Sequence, residues 1–296
     1  MIHPYATEIY ARSLDHIGQA LYVPHWETSV LIRNIDDHYK DIIGIYPITV
    51  IAEHADLKGG LDYLKKMGFI SVILNLDDFN RPSMEALSGV FEFVRPFKTH
   101  YIYRPSITDP TYTKHHRYEI NKALKILQVE KLNLGANLEA WKNLYSELTE
   151  RHNLQSLHNF SAAHHHILAQ LDKIVAFGAW KDNELVSCHI WSEHNGFVHS
   201  HLAASNETGY KSSAAYAVND FSTRYFREAN LINFGGGAGA TSDPNDGLIR
   251  FKKGFSNDIA LSYLCGGILN NDIYQKLLQK KGTTNTIIEF FPAYRK

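Results

Sequence analysis

Between Asn233 and Phe255 the chain reads NFGGGAGATSDPNDGLIRFKKGF. Four glycines fall within its first seven residues, a turn-rich segment follows, and a basic aromatic segment closes the stretch. Glycine loses more conformational freedom on folding than any other residue. A chain that clusters it between apolar segments does so where backbone must turn tightly or come close to something. The spacing lacks the GxGxxG strand-turn-helix context of a dinucleotide fold, and no Lys-Ser/Thr pair closes it as a Walker loop.

The segments before it alternate in type. Residues 18 to 35 read as two short strands around Pro24 and Trp26, Asp41 to Val50 as another strand, and Ala55 to Met67 as a helix. Phe69 to Leu76 is dense in β-branched residues, a short helix opens at Ser83, and Val94 to Tyr103 alternates again. Strand and helix in alternation favour an α/β layer architecture. Pro110 to Gln128 reads as a basic amphipathic helix. Leu138, Trp141, Leu144, Tyr145 and Leu148 keep the helical period in a second, and Phe160 to Leu171 forms a third. Three antiparallel strands follow: Ile174 to Trp180, Leu185 to Trp191 and Phe197 to Ala203, turned at Asp182-Asn183 and at Glu193-His194-Asn195-Gly196. A polar loop from Asn206 to Ser213 then opens a helix to about Ala229, followed by a strand at Leu231 to Phe234. Leu261 to Leu264 is one more strand and Asn271 to Gln279 a last helix.

With 296 residues the chain can bury one large core or two domains of about 150 residues each. A net charge of -1 implies no broad electrostatic footprint for nucleic acid or an acidic membrane, and leaves a local basic patch open. Cys188 and Cys265 sit in apolar runs without metal-ligand neighbours, as buried thiols of a reducing compartment would. The N-terminal segment lacks the apolar core of a signal peptide, and no apolar run approaches a membrane span. The expectation is a cytoplasmic protein. His164, His165 and His166 are adjacent on a helix and point in different directions, so the three cannot share one ion, and no metal is expected. No nucleophile elbow is evident: Ser200 stands between histidines, but neighbours on a strand face opposite ways.

Three segments carry a family resemblance. Lys98-Thr99-His100-Tyr101-Ile102 with Arg117 to Ala123 is one, Gly178-Ala179-Trp180 to Ala204 another, and Asn233 to Gly236 with Gly247 to Phe255 the third. Together they resemble the Fem-type branch of the GNAT acyltransferase superfamily, the peptidoglycan bridge peptidyltransferases and their relatives. The resemblance covers most of residues 98 to 255. It implies a mixed α/β (α+β) fold of tandem GNAT-like domains, each a mostly antiparallel central sheet flanked by helices. The domains would divide as residues 1–110 and 111–296, the second catalytic. No long charged heptad segment is present, so the two-helix arm of members that use aminoacyl-tRNA is not expected.

The resemblance also implies roles. Gly209, Lys211, Ser212 and Ser213 occupy the place where GNAT proteins hold the donor pyrophosphate on backbone N–H groups. An ordinary serine helix cap fits the same residues. His199 and His201 recur on one strand face and could take a proton from the attacking amine; a solvated sheet face gives the same pattern. Tyr216 could donate to a leaving group or simply pack on the sheet. Arg250 and Lys252, sharing a face if the segment is extended, could hold a phosphate or carboxylate together with Lys253, Gly235 and Gly236. Asp243 and Asp246 would counter or orient that charge. The expected activity is transfer of an acyl or aminoacyl group from a carrier, acyl-CoA foremost, to an amine of a sugar, nucleotide-sugar or peptide. The alternatives are an aminoacyl-tRNA-dependent transferase of the same fold and a GNAT-shaped binding module without catalysis.

Overall fold

Left-handed backbone at Asp182 (φ 50°) and Asn183 (φ 64°), and again at Asn195 (φ 52°) and Gly196 (φ 79°), closes the two hairpins that the turn residues predict. The computed structural model of the protein describes residues 2–107, 110, 112–153, 159–238, 246–282 and 290–296. The chain divides into two compact units, one of Met1–Phe97 with Leu261–Lys296, the other of Lys98–Ala260. Each is a mixed α/β body with helices packed on a central sheet.

The first unit opens with helix α1 (Glu8–Arg12) and strands β1 (Gln19–Val23), β2 (Thr28–Asn34) and β3 (Lys40–Ile43), paired antiparallel in sequence. Helix α2 (Leu57–Lys66) follows, started by Asp56, whose carboxylate accepts from the Gly59 N–H at 2.8 Å. The chain returns as β4 (Ser71–Asp77), parallel to β3, and α3 (Met84–Val90), capped by Ser83. Trp26, Val30, Ile42, Leu64, Val72 and Leu74 are fully buried at its centre.

The second unit is built from the part of β5 (Phe93–Tyr103) that begins at Lys98, and from α4 (Lys114–Leu124), β6 (Gln128–Leu132), α5 (Leu138–His152), α6 (Ala162–Gln170), β7 (Ile174–Lys181), β8 (Glu184–His194), β9 (Phe197–Ser205), α7 (Glu207–Lys211), α8 (Ala214–Tyr225), β10 (Leu231–Asn233) and α9 (Gly247–Lys253). Its strands run in the order β5-β10-β9-β8-β7-β6. All neighbours are antiparallel except β9 and β10. Helix α8 packs on the sheet face that carries Phe177, Trp191 and Val198, and α4 packs beside it. Helices α5 and α6 pack where His201 faces His164, their rings 5.7 Å apart.

The chain then completes the first unit with the part of β11 (Asp258–Ile268) from Leu261 on, antiparallel to β4, and with α10 (Asn271–Lys281). Its end is fastened by a buried carboxylate. Asp41 is fully buried and accepts from Arg33, from the Tyr294 hydroxyl at 2.9 Å and from Arg295 Nε at 2.6 Å. A buried charge is tolerated when paired and hydrogen-bonded in this way.

Two sequence expectations need correction. The segment from 206 to 213 is not an open loop: Asn206 accepts from the Gly209 N–H at 2.8 Å and starts the short helix α7. The segment from 247 is not extended: Asp246 accepts from the Leu248 N–H at 2.8 Å and starts α9. On a helix, positions two apart point away from each other, so Arg250 and Lys252 share no face. A strand the sequence did not announce, β6, pairs with β7. Asp243 lies outside the described residues.

Candidate functional site

The geometry that organises the second unit is a ladder that stops. Strands β9 and β10 pair in parallel over only three positions, Phe197 with Leu231, Val198 with Ile232 and His199 with Asn233. Beyond them β9 continues to Ser205 against β8, while the chain after β10 turns to β5. There the Phe234 N–H donates to the Tyr101 carbonyl at 2.9 Å and the Tyr101 N–H to the Gly235 carbonyl at 3.1 Å. The two parallel strands therefore diverge after His199 and Asn233. A bulge falls at the same point: Trp191 faces Ser200 and Ile190 faces Leu202, which leaves His201 as the extra residue.

The glycines line one side of this divergence. Gly235 has φ 77°, a conformation that favours glycine, and its N–H donates to Asn233 Oδ1 at 2.8 Å. Asn233 in turn meets the His100 ring at 3.0 Å. Two lysines point at consecutive glycine carbonyls. Lys252 Nζ donates to Gly236 O at 2.6 Å, and Lys98 Nζ to Gly237 O at 3.3 Å. Burial and the neighbouring Lys98 charge lower the Lys252 ammonium to about 8, partly offset by Asp246. Lys98 is lowered as well, through burial. Gly235, Gly236, Asp246 and Lys252 are thus brought together. Arg250 and Lys253 are exposed on other sides of α9.

Gly254 has a different purpose. A side-chain carbon there would lie 2.0 Å from the His116 ring, so its absence seats that imidazole. His116 is bonded to Thr113 and to the Phe251 carbonyl at 2.9 Å each. Tyr216 stands in the same aromatic group, with rings 4.8 Å from Phe251 and 5.0 Å from His116. It is partly buried, its hydroxyl lies 3.3 Å from His115, and it packs against the core cluster of this unit beside residues of α4 and α9. Burial raises its phenol above the ordinary value.

His199 and His201 are buried, at 8% and 5% exposure. The His199 ring lies 6.0 Å from His100, and His201 meets His164. Burial pushes His201 down to about 3, so it is neutral at physiological pH.

The residues 209 to 213 are occupied by their own chain. Besides the Gly209 N–H, those of Ser212 and Ser213 donate to Thr208 and Tyr210 carbonyls at 3.0 and 3.2 Å. A Cβ on Gly209 would lie 2.1 Å from the Val186 carbonyl oxygen, so this glycine packs helix on strand. Lys211 is exposed and pairs with Glu207 at 2.5 Å. The Ser213 hydroxyl donates to Glu119, which that bond, foremost, holds below its ordinary value. A carboxylate therefore stands at the start of α8.

Sequence reading missed one polar pair. His189 on β8 and Ser200 on β9 meet at 2.8 Å between Nε2 and Oγ. They lie eleven residues apart, and only the strand register joins them. Among the described residues no group of three or more His, Cys, Asp or Glu side chains is placed to hold a metal ion. No helix among them is long and apolar enough to cross a membrane.

Solved structures share this fold. FemX matches 93% of the chain over 95% of its own, with TM-score 0.64 and 13% identity. L-PGS from Bacillus licheniformis matches 87% of the chain over 88% of its own, with TM-score 0.61 and 14% identity. The C-terminal domain of an Agrobacterium fabrum protein, assigned as a lysylphosphatidylglycerol synthetase, matches 92% over 94%, with TM-score 0.62 and 11% identity. No family model and no curated relative matches the chain. At these identities the likeness establishes the fold.

Proposed function

We propose that the protein transfers an acyl or aminoacyl group from an activated carrier to an amine, with the chemistry in the second unit. The divergence of β9 from β10 carries this reading. Among the described residues, it leaves one side of β9 without a strand partner after residue 199. An extended carrier can lie along such an edge and exchange hydrogen bonds with its backbone. Lys252 has one N–H on the Gly236 carbonyl and two more to offer to an oxygen that gains charge as the carbonyl is attacked.

The order of elements supports a GNAT-like reading of both units. In each, three antiparallel strands lead through helix to a strand parallel to the third, and a further antiparallel strand lies beside it. We read the chain as two such domains in tandem, of the Fem-type branch, working in the cytoplasm. The carrier we favour is an acyl-coenzyme A, and the acceptor an amine of a sugar, nucleotide-sugar or peptide.

One observation favours a second carrier, aminoacyl-tRNA. The amides of Gly209, Ser212 and Ser213 are spoken for, and Glu119 stands at the α8 start. A pyrophosphate gripped there would have to displace a carboxylate of its own sign. An aminoacyl ester held mainly at the β9 edge and the two lysines would not.

Incubation with radiolabelled acetyl-coenzyme A or charged tRNA and a panel of amines tests the proposal. Label moving to an amine, lost in Lys252→Ala at an unchanged thermal midpoint, is the expected result. Absence of transfer from either carrier would sink it and leave a binding module.

A further inference from the structure

The Ser200–His189 pair lies where the transfer proposed above would occur, and its chemistry can be worked out from the hydrogen bonds. Ser200 is the residue of β9 directly after the last rung to β10 and directly before the bulged His201. It is partly exposed, whereas His189 is 5% exposed and lies against Trp191 with ring centroids 4.1 Å apart and the planes tilted by 31°. Among the described residues, His189 Nε2 is the only hydrogen-bond partner of the Ser200 hydroxyl. His189 Nδ1 is buried and has no partner among the described residues.

A neutral imidazole carries one N–H and one bare nitrogen. If the hydrogen sat on Nδ1, a buried donor would be left without an acceptor, the arrangement proteins avoid most strictly. If it sits on Nε2, that N–H is satisfied by Ser200 and only a lone pair goes unmet at Nδ1. The second tautomer is the better one. Its consequence falls on Ser200: the hydroxyl oxygen accepts from His189, so its own hydrogen cannot point at the ring and turns elsewhere.

We infer that Ser200 is an oriented hydrogen-bond donor to the oxygen of the transferred acyl group, and that His189 is the positioning residue that holds it so. The inference rests on the transfer reading. As the amine attacks, the new N–C bond forms and the carbonyl π pair moves onto oxygen, which Ser200 stabilises without giving up its proton. The oxygen then returns the pair, the bond to the carrier breaks, the carrier leaves with its electrons, and the amine proton passes to water. Burial keeps His189 near 3, with the Lys252 charge adding to the effect, so the ring is a fixed neutral donor rather than a base. A serine nucleophile is the contrasting design, and it would need the opposite tautomer and a partner at Nδ1.

Two measurements decide it. In protein labelled with ¹⁵N-histidine, two-bond correlation spectra should show the Nε2–H tautomer for His189, assigned by the peaks missing in His189→Gln. The Nδ1–H tautomer would overturn the inference whatever the activity. In transfer assays Ser200→Ala should lower kcat about 100-fold with KM little changed, as for other single oxyanion donors. Ser200→Thr, which keeps the hydroxyl, should restore most of it. Wild-type kcat in Ser200→Ala would overturn the role of Ser200 and leave the transfer reading standing. No turnover by the wild-type chain with either carrier would remove the transfer reading itself. An ester-linked acyl group on Ser200, seen by mass spectrometry, would replace the donor role with a nucleophilic one.

Discussion

Lys252 is the residue whose chemistry is most exposed to test. Its ammonium is lowered to about 8, first by burial and then by Lys98. Below that pH it is a cation, and above it a neutral amine. Any step that needs its charge must slow as pH rises through about 8. We expect kcat/KM to show a descending limb there. Lys252→Arg should remove that limb, because a guanidinium stays charged far above this range, at some loss of rate from its different shape. A limb that persists in the arginine variant would assign it to another group. The residue itself was legible in the sequence through the RFKKGF pattern. Its companion Lys98 was read only as part of a motif, since nothing local shows that two lysines so distant in sequence converge on adjacent carbonyls. The Ser200–His189 pair escaped for the same reason. Periodicity marks which way a side chain faces, but not which residue on the next strand it meets.

At the scale of elements, the strands of the second unit were readable to within a few residues. Their alternation and turn residues are local properties. Edge strand β6 was not, because Gln128, Glu130 and Lys131 give it the polar look of a protected edge. The two short helices α7 and α9 were missed for lack of length. Five or seven residues make fewer than two helical turns, too few for the period to repeat, so only their caps, Asn206 and Asp246, announce them. Helix α7 offers a clean test of what its glycine does. Gly209→Ala would drive a methyl to 2.1 Å from the Val186 carbonyl oxygen. We expect a loss of about 1–3 kcal/mol, read from denaturant midpoints, as for other overpacked sites. An unchanged midpoint would show that the helix can slide away from β8.

The whole chain has a formal net charge of -1, yet its acid behaviour should be dominated by imidazoles inside the second unit. Burial holds His189 and His201 near 3 and His165 near 4, against about 6.5 when unfolded. The folded state therefore binds fewer protons than the unfolded one between those values. Stability from this source is complete above about pH 6.5 and falls as the solution is acidified towards 3 to 4. The slope can reach about 1.4 kcal/mol per pH unit for each ring. Denaturant titrations from pH 7 to pH 4 should show a steep decline, flattened by His201→Asn. An acid limb equally steep in that variant would move the burden to carboxylates. The first unit depends on the end of the chain for β11 and for the Tyr294 and Arg295 contacts to Asp41. Sequence pattern marks those segments as strand and helix without naming the unit they join.

The three-rung seam between β9 and β10 also yields a readout that needs no knowledge of the cargo. Peptide groups on its open side have no rung to β10 after His199, so deuterium should enter parts of 200–205 sooner than 197–199. Whatever natural occupant lies along that strand should slow the uptake. A cell extract fractionated for this footprint, peptide by peptide, would bring the occupant to hand before its identity is guessed.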